Sequence, residues 1–361
     1  MRVTQRTRGR VGLAYDTHTS SSDVPQEGES TVHTRHVGRI ALATLLLWSG
    51  LLIGDTGMAQ PQRARPILIG ALNTSWGATP QVVGLRERLR ELGYRENEDF
   101  VIGVRFTQGD RTALAAAARQ LVQDGVDILL VDHDDAAQAA RQATERIPIV
   151  STTLGNPVEQ GLIQSFARPG GNLTGVADLH LELGPKRLEV FSDMLPGLKR
   201  LLFLYHATDA YAVAEAQTLH DAARRLGLVL VVQAVHTQEE AQATLAALRR
   251  EEIDGMLAPR CCALNLPGLI LEATARLRLP TMFEAAFWVE RGALASYGPD
   301  LYASGQMAAR LVDKIIKGAN PAELPVEINP QIEFVINLQV VQALGLTLAP
   351  TVGYQANRFI K

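Results

Sequence analysis

Short apolar segments alternate with amphipathic segments of helical spacing along most of this chain, and the series occurs twice. The apolar segments of the first series are "PILIGAL", "FVIGVRF", "VDILLVD" and "IPIVST". A second series begins with a helical pattern near Gly184, and its apolar segments are "RLLFLYH", "LVLVVQAV", "IDGMLAP" and "LPTMFE". Strands that are apolar throughout and alternate with helices form a parallel sheet covered on both faces. The sequence therefore predicts an α/β fold with two doubly wound parallel-sheet lobes.

The chain is long enough for two domains of ordinary size. It has 361 residues, of which 47% are hydrophobic and 20% are charged, so each series can bury a core of its own. The elements after residue 297 are too few for a third domain, and we expect them to complete the first two. The predicted boundaries place residues 66–176 and about 298–323 in lobe 1, and residues 177–297 and about 324–361 in lobe 2.

Residues 1–59 differ from the rest and are predicted to be an N-terminal extension followed by a signal peptide. A basic flank at residues 35–39 precedes the apolar run "IALATLLLWSGLLIG" at residues 40–54, and small residues follow at Gly57 and Ala59. These are the parts of a secretory signal, and no cysteine marks a lipoprotein cleavage site. A permanent membrane anchor is the alternative, for which the run is short. We expect a periplasmic protein; a later translation start would put the basic flank at its N-terminus.

Charge and motif content exclude several functions. The formal net charge is −3 and no long run of Lys or Arg occurs, so nucleic acid is not an expected partner. The chain has no G-x-S-x-G turn, no Walker loop and no His or Cys spacing typical of zinc, so no enzyme, metal or other cofactor is predicted. Cys261 and Cys262 are adjacent and cannot join distant segments. They are two ordinary thiols or a strained vicinal disulfide.

The stretch "PIVSTTLGNPVEQGLIQSFARPGGNLTGV", residues 148–176, carries much turn chemistry between two apolar strands. Gly and Pro fix a tight path, and loops at the carboxyl ends of strands are where doubly wound sheets bind ligands. A solvated linker is the alternative, but linkers rarely keep apolar residues such as Leu162, Ile163 and Phe166. We expect an ordered loop that contributes to a ligand site and enters a strand crossing to lobe 2.

Several ordered segments carry a resemblance to one known family. They are "GLRERLRELGY" (84–94), "IPIVSTTLGNPVEQGLIQSFARPGGNLTGV" (147–176), "KRLEVFSDMLPGLKR" (186–200), "SYGPDL" (296–301), "AARLVDKIIKGANPAELPVE" (308–327) and "FVINLQVVQALGLTLAP" (334–350). Over about residues 66–350 the chain resembles the extracytoplasmic substrate-binding proteins of ABC importers, in the group that includes tryptophan- and tyrosine-binding members.

The resemblance implies a type I periplasmic-binding fold, in which two α/β lobes joined by three hinge strands hold a small molecule between them. The implied ligand is an amino acid or a related metabolite, and the implied partners are an ABC permease and its ATPase. Ligand contacts to both lobes favour the closed form, which then delivers the ligand. Two other functions stay open: a sensing module that docks on a membrane receptor, and a secreted α/β enzyme. We expect a monomer.

Candidate ligand-binding residues follow the strands, where the two lobes should face each other. From lobe 1 they are Asn73, Thr74, Ser75, Trp76, His133, Asp134, Asp135, Thr152, Thr153 and Asn156, and from lobe 2 they are His206, Arg260, Phe283, Glu284 and Tyr297. Trp76 is suited to stack on a planar ligand, or it packs against its own lobe. Arg260 is suited to pair with a ligand carboxylate, or it lies at the surface.

Two departures from the family's pattern lie at strand ends. "DHDDAA", residues 132–137, replaces a small "GTPAA"-like turn, and Asn156 replaces the Asp of a "DPV" motif. Both count against an aromatic amino acid as the ligand. Carboxylates at the start of a helix disfavour a ligand carboxylate there, so Asp134 and Asp135 are predicted to meet a ligand amine or another cationic group. Alternatively, Asp134 caps the helix and Asp135 complements its dipole.

Overall fold

The structure is a computed structural model that describes residues 65–75, 77, 79–178, 180–260 and 263–361. The predicted N-terminal extension and signal peptide, Trp76 and both cysteines lie outside the described residues. No helix within the described residues combines the length and apolar character that a bilayer crossing requires.

The strands and helices alternate as expected along the described part of the chain. The strands are β1 Ile67–Asn73, β2 Phe100–Phe106, β3 Ile128–Val131, β4 Ile149–Leu154, β5 Leu173–Ala177, β6 Arg200–His206, β7 Val229–Val235, β8 Gly255–Leu257, β9 Thr281–Phe283, β10 Ala295–Pro299, β11 Glu327–Ile328, β12 Ile332–Asn337 and β13 Arg358–Ile360. The α-helices are α1 Pro80–Glu91, α2 Leu114–Gln123, α3 His133–Ala143, α4 His180–Met194, α5 Ala210–Arg225, α6 Gln238–Ala247, α7 Leu266–Leu277, α8 Ala286–Val289, α9 Leu301–Ile316, α10 Leu338–Leu344 and α11 Val352–Gln355.

The strands form two sheets, one in each lobe. The lobe 1 sheet has the order β11-β5-β4-β3-β1-β2, and its neighbouring strands are all parallel. The lobe 2 sheet has the order β13-β12-β10-β9-β8-β6-β7 and is parallel except where β12 runs antiparallel to β10. The predicted α/β fold with two doubly wound lobes is confirmed.

The central strands of each sheet are buried on both faces, whereas the edge strand β7 leaves alternate side chains exposed. Along β3, Leu129 and Val131 pack against α2 and α3, whereas Ile128 and Leu130 pack on the other face against α1 and α9. Successive side chains of a strand point to opposite faces, so a strand covered on both sides needs an apolar residue at every position.

Helix α9 returns to lobe 1 and packs closely against α1. A Cβ atom at Gly84 would overlap the carbonyl oxygen of Tyr302, and one at Gly305 would overlap the carbonyl oxygen of Gln81. The two glycines therefore let the helix backbones approach. This packing fixes the first turn of α1, with Gln81, close to the point where the chain enters α9.

The chain crosses between the lobes after β5, between β10 and α9, and between β11 and β12. The last two crossings are tied together, because Asn329 Nδ2 donates to the Asp300 carbonyl at 2.8 Å and to Ser304 Oγ at 2.9 Å. Asp300 also caps α9, accepting the Ala303 N–H at 3.0 Å. Three segments thus connect the lobes within the described residues.

Two of these crossings come slightly later than the sequence predicted. Pro299 still pairs with Ile332 in lobe 2, although residues from about 298 were assigned to lobe 1. Strand β11 pairs with β5 in lobe 1, although residues from about 324 were assigned to lobe 2. A strand as short as β11 carries no periodic pattern that the sequence could reveal.

The loop between β4 and β5 is held by its own packing. Leu162 and Ile163 are buried in the lobe 1 core, while Phe166 remains partly exposed. The Phe166 carbonyl accepts the Val326 N–H at 2.8 Å, and the Gly170 N–H donates to the Ala322 carbonyl at 3.1 Å. The loop is therefore docked on the segment that leads into β11.

Candidate ligand-binding cleft

Loops at the carboxyl ends of the strands of both lobes meet in a cleft. Arg111, which follows β2, forms an ion pair with Asp209, which follows β6, at 3.1 Å. Arg260, which follows β8, lies 3.0 Å from Asp178 at the first crossing, and its Nη2 donates to the Thr153 carbonyl at 3.4 Å. Open parallel sheets bind ligands at this end of their strands.

Two cavities lie in the cleft, and both are bordered by His133 and Arg260. The outer cavity, of about 190 Å³, is lined also by Thr74, Gly109, Arg111, Asp134, Asp135, Gln160, Thr208, Asp209, Ala210, Tyr211 and Ala263. The inner cavity, of about 50 Å³, lies beside the crossings and is lined also by Ser75, Thr79, Pro80, Gln81, Asp132, Thr153, Asp178, Glu284, Ala285, Phe287, Trp288, Pro299 and Leu301.

The carboxylates of the outer cavity are well supplied with partners. Asp134 accepts the backbone N–H groups of Gly155 at 3.0 Å and Asn156 at 3.1 Å, and also Gln160 Nε2 at 3.1 Å. Arg111 pairs with Asp135 of lobe 1 as well as with Asp209 of lobe 2. The outer cavity is thus walled by a network that links the two lobes.

Two carboxyl groups of the inner cavity, those of Asp132 and Glu284, accept fewer or longer hydrogen bonds than the carboxylates of the outer cavity. Among the other described residues, Thr74 alone donates to Asp132, through long hydrogen bonds of 3.3 Å from its N–H and 3.3 Å from its hydroxyl. Burial raises the pKa of Asp132 to about 7, against the opposing effects of Thr74 and Arg260. Glu284 accepts one hydrogen bond, from Trp288 Nε1 at 3.0 Å, and burial raises its pKa also to about 7.

Arg260 is the charge that joins the two cavities. It is almost fully buried, and burial alone would lower its pKa; the nearby carboxylates, Asp178 first, raise the pKa above the ordinary value instead. Its guanidinium carbon lies 5.1 Å from the ring centroid of Tyr211, a cation–π contact. Beneath it, Arg187 and Glu215 form a fully buried ion pair. The Arg260 N–H also approaches Glu215 Oε2, at 3.5 Å.

His133 borders both cavities in an uncommon backbone conformation. Its φ of 58° lies in the left-handed region, which only a few per cent of non-glycine residues adopt, with asparagine, aspartate and histidine the most frequent among them. Burial first, and then the charges of Arg260 and Arg111, lower its pKa to about 3. At neutral pH the imidazole is therefore uncharged and offers one donor and one acceptor.

Gly155 lies at a point where the two lobes approach closely. A Cβ atom there would lie 2.6 Å from a ring carbon of Tyr211 and 2.7 Å from Arg260 Nη1. Both distances are shorter than a van der Waals contact, so the observed arrangement requires glycine at this position. The loop after β4 therefore contacts lobe 2 through its backbone.

The structure brings most of the predicted polar residues to the cleft. Thr74, Asp134 and Asp135 line the outer cavity, Ser75, Thr153 and Glu284 line the inner one, and His133 and Arg260 border both. Trp76 lies outside the described residues. Whether these side chains bind a ligand stays a prediction.

Other predicted residues have different neighbours. Asn73 donates to Thr79 Oγ1 at 3.2 Å, Thr152 donates to the Val131 carbonyl at 3.3 Å, and Asn156 pairs with Glu159. Phe283 and Tyr297 pack within lobe 2, and His206 lies near Thr208 Oγ1 at 3.3 Å. None of these six side chains is among those that line the two cavities in the described structure.

The "DHDDAA" segment begins its helix one residue earlier than the sequence indicated. Asp132 holds the N-cap position of α3 and makes no side-chain capping bond, while His133 is the first helical residue. Asp134 therefore does not cap the helix but anchors the loop after β4, and Asp135 meets the cationic group of Arg111. His133 adopts a positive φ at this first position, which no sequence pattern predicts.

Several lining residues were not among the predicted ones. Gln81 belongs to the first turn of α1, Asp178 to the first crossing, and Trp288 to the short helix α8. The spacing of Glu284 and Trp288, four residues apart, was the one available signal for a contact, since residues so spaced meet on a helical turn.

Comparison with known proteins identifies the family. The family model described as "ABC transporter substrate binding protein" matches residues 77–360. A curated relative, the "Tyrosine-binding protein" of Clostridioides difficile, is 27% identical over 265 residues, covering 73% of this chain and 76% of the relative. The chain belongs to the ABC transporter substrate-binding protein family.

Solved structures agree with this assignment. An ABC domain from Streptococcus pneumonia in complex with L-Trp is 25% identical, with a TM-score of 0.73, covering 82% of this chain and 100% of that chain. A conserved domain protein from Vibrio cholerae is 27% identical, with a TM-score of 0.73 and the same coverage. The predicted family and fold are confirmed, and membership in a family of binding proteins supports the prediction that the chain is not an enzyme.

Proposed function

We propose that this chain is an extracytoplasmic solute-binding protein of an ABC importer that closes on a small molecule between its lobes and delivers it to a permease and its ATPase. The proposed ligand is an amino acid or a related metabolite. Family membership, the tyrosine-binding relative and the similar structure with L-Trp support this assignment.

The meeting of both lobes around Arg260 is the observation that carries the proposal. Arg260 of lobe 2 reaches Asp178 at the first crossing and Thr153 of lobe 1, and Arg111 of lobe 1 reaches Asp209 of lobe 2. A ligand that contacts both lobes favours the arrangement in which they meet, which is how binding is coupled to closure. We propose the cavity-lining residues on both sides of Arg260 as the ligand site.

A thermal-shift screen tests the proposed function. Amino acids and related small metabolites are added singly, and a compound bound only by the native state raises the melting temperature by mass action. We expect at least one hit, confirmed by calorimetry as one molecule per chain and recovered chemically unchanged. Chemical conversion of the hit would contradict the proposal.

Export is tested separately. If residues 40–59 are a cleaved signal, N-terminal sequencing of protein from the native host should begin at or near Gln60. Recovery of a chain that begins at Met1 from the cytoplasm would contradict both periplasmic location and a role in import.

A further inference from the structure

The inner cavity carries acceptor atoms for which the described residues provide no donor. Glu284 Oε2 and Gln81 Oε1 are both buried, and no hydrogen-bond donor in the described part of the chain reaches either one. The Gln81 side chain is nearly inaccessible, with its residue only 4% exposed. Unpaired buried acceptors are costly, so their presence in a cavity points to a donor that arrives with a ligand.

The charges that line the inner cavity also indicate that a hydrogen-bond donor arrives with the ligand. Three of its lining residues are acidic, namely Asp132, Asp178 and Glu284, while Arg260 is its one lining arginine or lysine among the described residues. Arg260 is already paired with Asp178, and Arg187, whose charge lowers the pKa of Glu284, is paired with Glu215. Among the described residues, Asp132 and Glu284 therefore have no ion pair with an arginine or lysine. A buried carboxylate without a cation is unfavourable.

We propose that the inner cavity holds the protonated amine of the ligand between Asp132 of lobe 1 and Glu284 of lobe 2, and that the ligand is a cationic amine without a carboxylate. This inference rests on the proposed function and specifies its substrate class. A primary ammonium group has three N–H donors. Asp132, Glu284 Oε2 and Gln81 Oε1 are three acceptors that line the same cavity.

The arginines of the cleft explain why a ligand carboxylate is excluded. Arg260 is paired with Asp178, Arg187 with Glu215, and Arg111 with Asp135 and Asp209. A carboxylate is bound best by a bidentate arginine, and each of these is already held by a protein carboxylate. A second anion beside the lining acids would be repelled.

The carbon skeleton of the ligand has an apolar wall to contact. Phe287 and Trp288 line the inner cavity. Their ring centroids are 5.0 Å apart, and the rings are in an edge-to-face arrangement. Such rings pack against apolar groups and attract a cation over their faces. Because Asp132 and Glu284 come from different lobes, an amine between them also draws the lobes together.

The test uses sets of three probes that share one side chain: an amine, the corresponding amino acid and the corresponding deaminated acid. One set is tyramine, L-tyrosine and hydroxyphenylpropionate, and the other is tryptamine, L-tryptophan and indolepropionate. Affinities are measured by calorimetry on the full exported chain. In at least one set we expect the amine to bind about tenfold more tightly than the amino acid or better, and the deaminated acid not to bind.

Variants then locate the amine. Asp132→Asn and Glu284→Gln should each weaken binding of the amine about ten- to a hundredfold, the range for losing a hydrogen bond to a charged group. Glu333→Gln is the matched control, since burial also raises the pKa of Glu333 to about 7 but it lies outside the inner cavity. It should leave the affinity unchanged. Circular dichroism checks that each variant folds. If one of the two variants does not fold, the other still tests the proposal.

The outcomes separate this inference from the proposed function. Tighter binding of an amino acid or a deaminated acid than of its amine would overturn the inference and leave the proposed function standing. Unchanged amine affinity in both inner-cavity variants would overturn it as well. If no member of any set binds, the inference fails and the wider metabolite screen decides the proposed function.

Discussion

The outer and inner cavities share two bordering residues but satisfy their carboxylates in opposite ways. In the outer cavity, Asp134 is held by backbone N–H groups, and Asp135 is held by Arg111. In the inner cavity, Asp132 has only long hydrogen bonds from Thr74, and Glu284 has one unpaired oxygen within the described structure. The same kind of side chain is therefore used in two ways, a few residues apart in the sequence.

This difference suggests a division of roles. Fully paired groups such as the Arg111 bridge stabilise the contact between the lobes without any ligand. Buried carboxyl oxygens that lack a hydrogen-bond donor destabilise the protein when no ligand is bound. They become favourable only when a ligand supplies the donor. In the proposed site, the outer cavity then holds the two lobes together, and the inner cavity binds the ligand.

Replacing Arg260 should have the largest effect, because it borders both cavities. Arg260→Met leaves Asp178 buried without its cation, and breaking a buried pair in this way costs about 3–5 kcal/mol of unfolding free energy. Denaturant titration measures the loss. Arg291→Met is the control, since Arg291 lies over the Phe287 ring and forms no ion pair with Asp178 in the described structure. Equal stability of the Arg260→Met and wild-type proteins would mean that the pair is not needed.

The fold followed from the sequence, because its signals are local. Strand β3 is apolar at every position, and that property alone requires a sheet covered on both faces. The loops of the cleft were predictable for the same reason, since the carboxyl ends of parallel strands share one edge. Thr74, His133 and Arg260 were found in this way.

The details of the site were not predictable, because they depend on long-range packing. Phe283 and Tyr297 end up in the lobe 2 core, since the sequence does not state which neighbours a strand end meets. Gln81 reaches the inner cavity as part of the α1 turn against which α9 packs. No short-range pattern links α1 with α9, whose contact spans much of the chain.

The next largest effect is expected in the pH dependence of the unfolding free energy, which reports on the carboxyl groups of the inner cavity. The pKa values of Asp132 and Glu284 are raised to about 7, so both groups take up protons on folding. Their contribution to stability is complete below their ordinary pKa near 4 and is lost as the pH rises through 7. In the ligand-free protein at about pH 8, Asp132→Asn together with Glu284→Gln should therefore raise the unfolding free energy by at least about 1.4 kcal/mol, the equivalent of one pKa unit.

The measurement is the difference in unfolding free energy between variant and wild type at two pH values. This difference is needed because His133 acts with the opposite sign: its pKa is lowered to about 3, so its contribution is lost as the pH falls below 6.5. The gain should become smaller as the pH falls from about 7 to 4 and should vanish near about pH 2.5, where both carboxyls are protonated in either state. A gain of equal size at both pH values would show that charge is not its cause.

Adding a methyl group at Gly155 should have a smaller effect, confined to the meeting of the lobes. The Cβ atom of Gly155→Ala would press against the Tyr211 ring and Arg260, and overpacking of this kind costs about 1–3 kcal/mol. We expect that loss in binding free energy for a confirmed ligand, measured by calorimetry. Gly171→Ala, in the same loop, is the control, since its Cβ meets no atom within 4 Å. Equal affinities for both variants would contradict the interlobe contact.

Removing the ion pairs of Arg111 should have the smallest effect on ligand affinity, although these pairs connect the two lobes. Arg111 and Asp135 are partly exposed, and exposed ion pairs contribute about 0.2–1 kcal/mol each. Arg111→Gln removes the ion pairs with both Asp135 and Asp209, so ligand affinity should fall by about two- to thirtyfold, and less at high salt. Arg105→Gln, which breaks a pair with Asp124 inside lobe 1, should leave affinity unchanged. If Arg111→Gln instead weakened binding by more than about thirtyfold even at high salt, the outer cavity would have to be counted as part of the recognition site, because ion pairs screened by salt cannot supply an effect of that size.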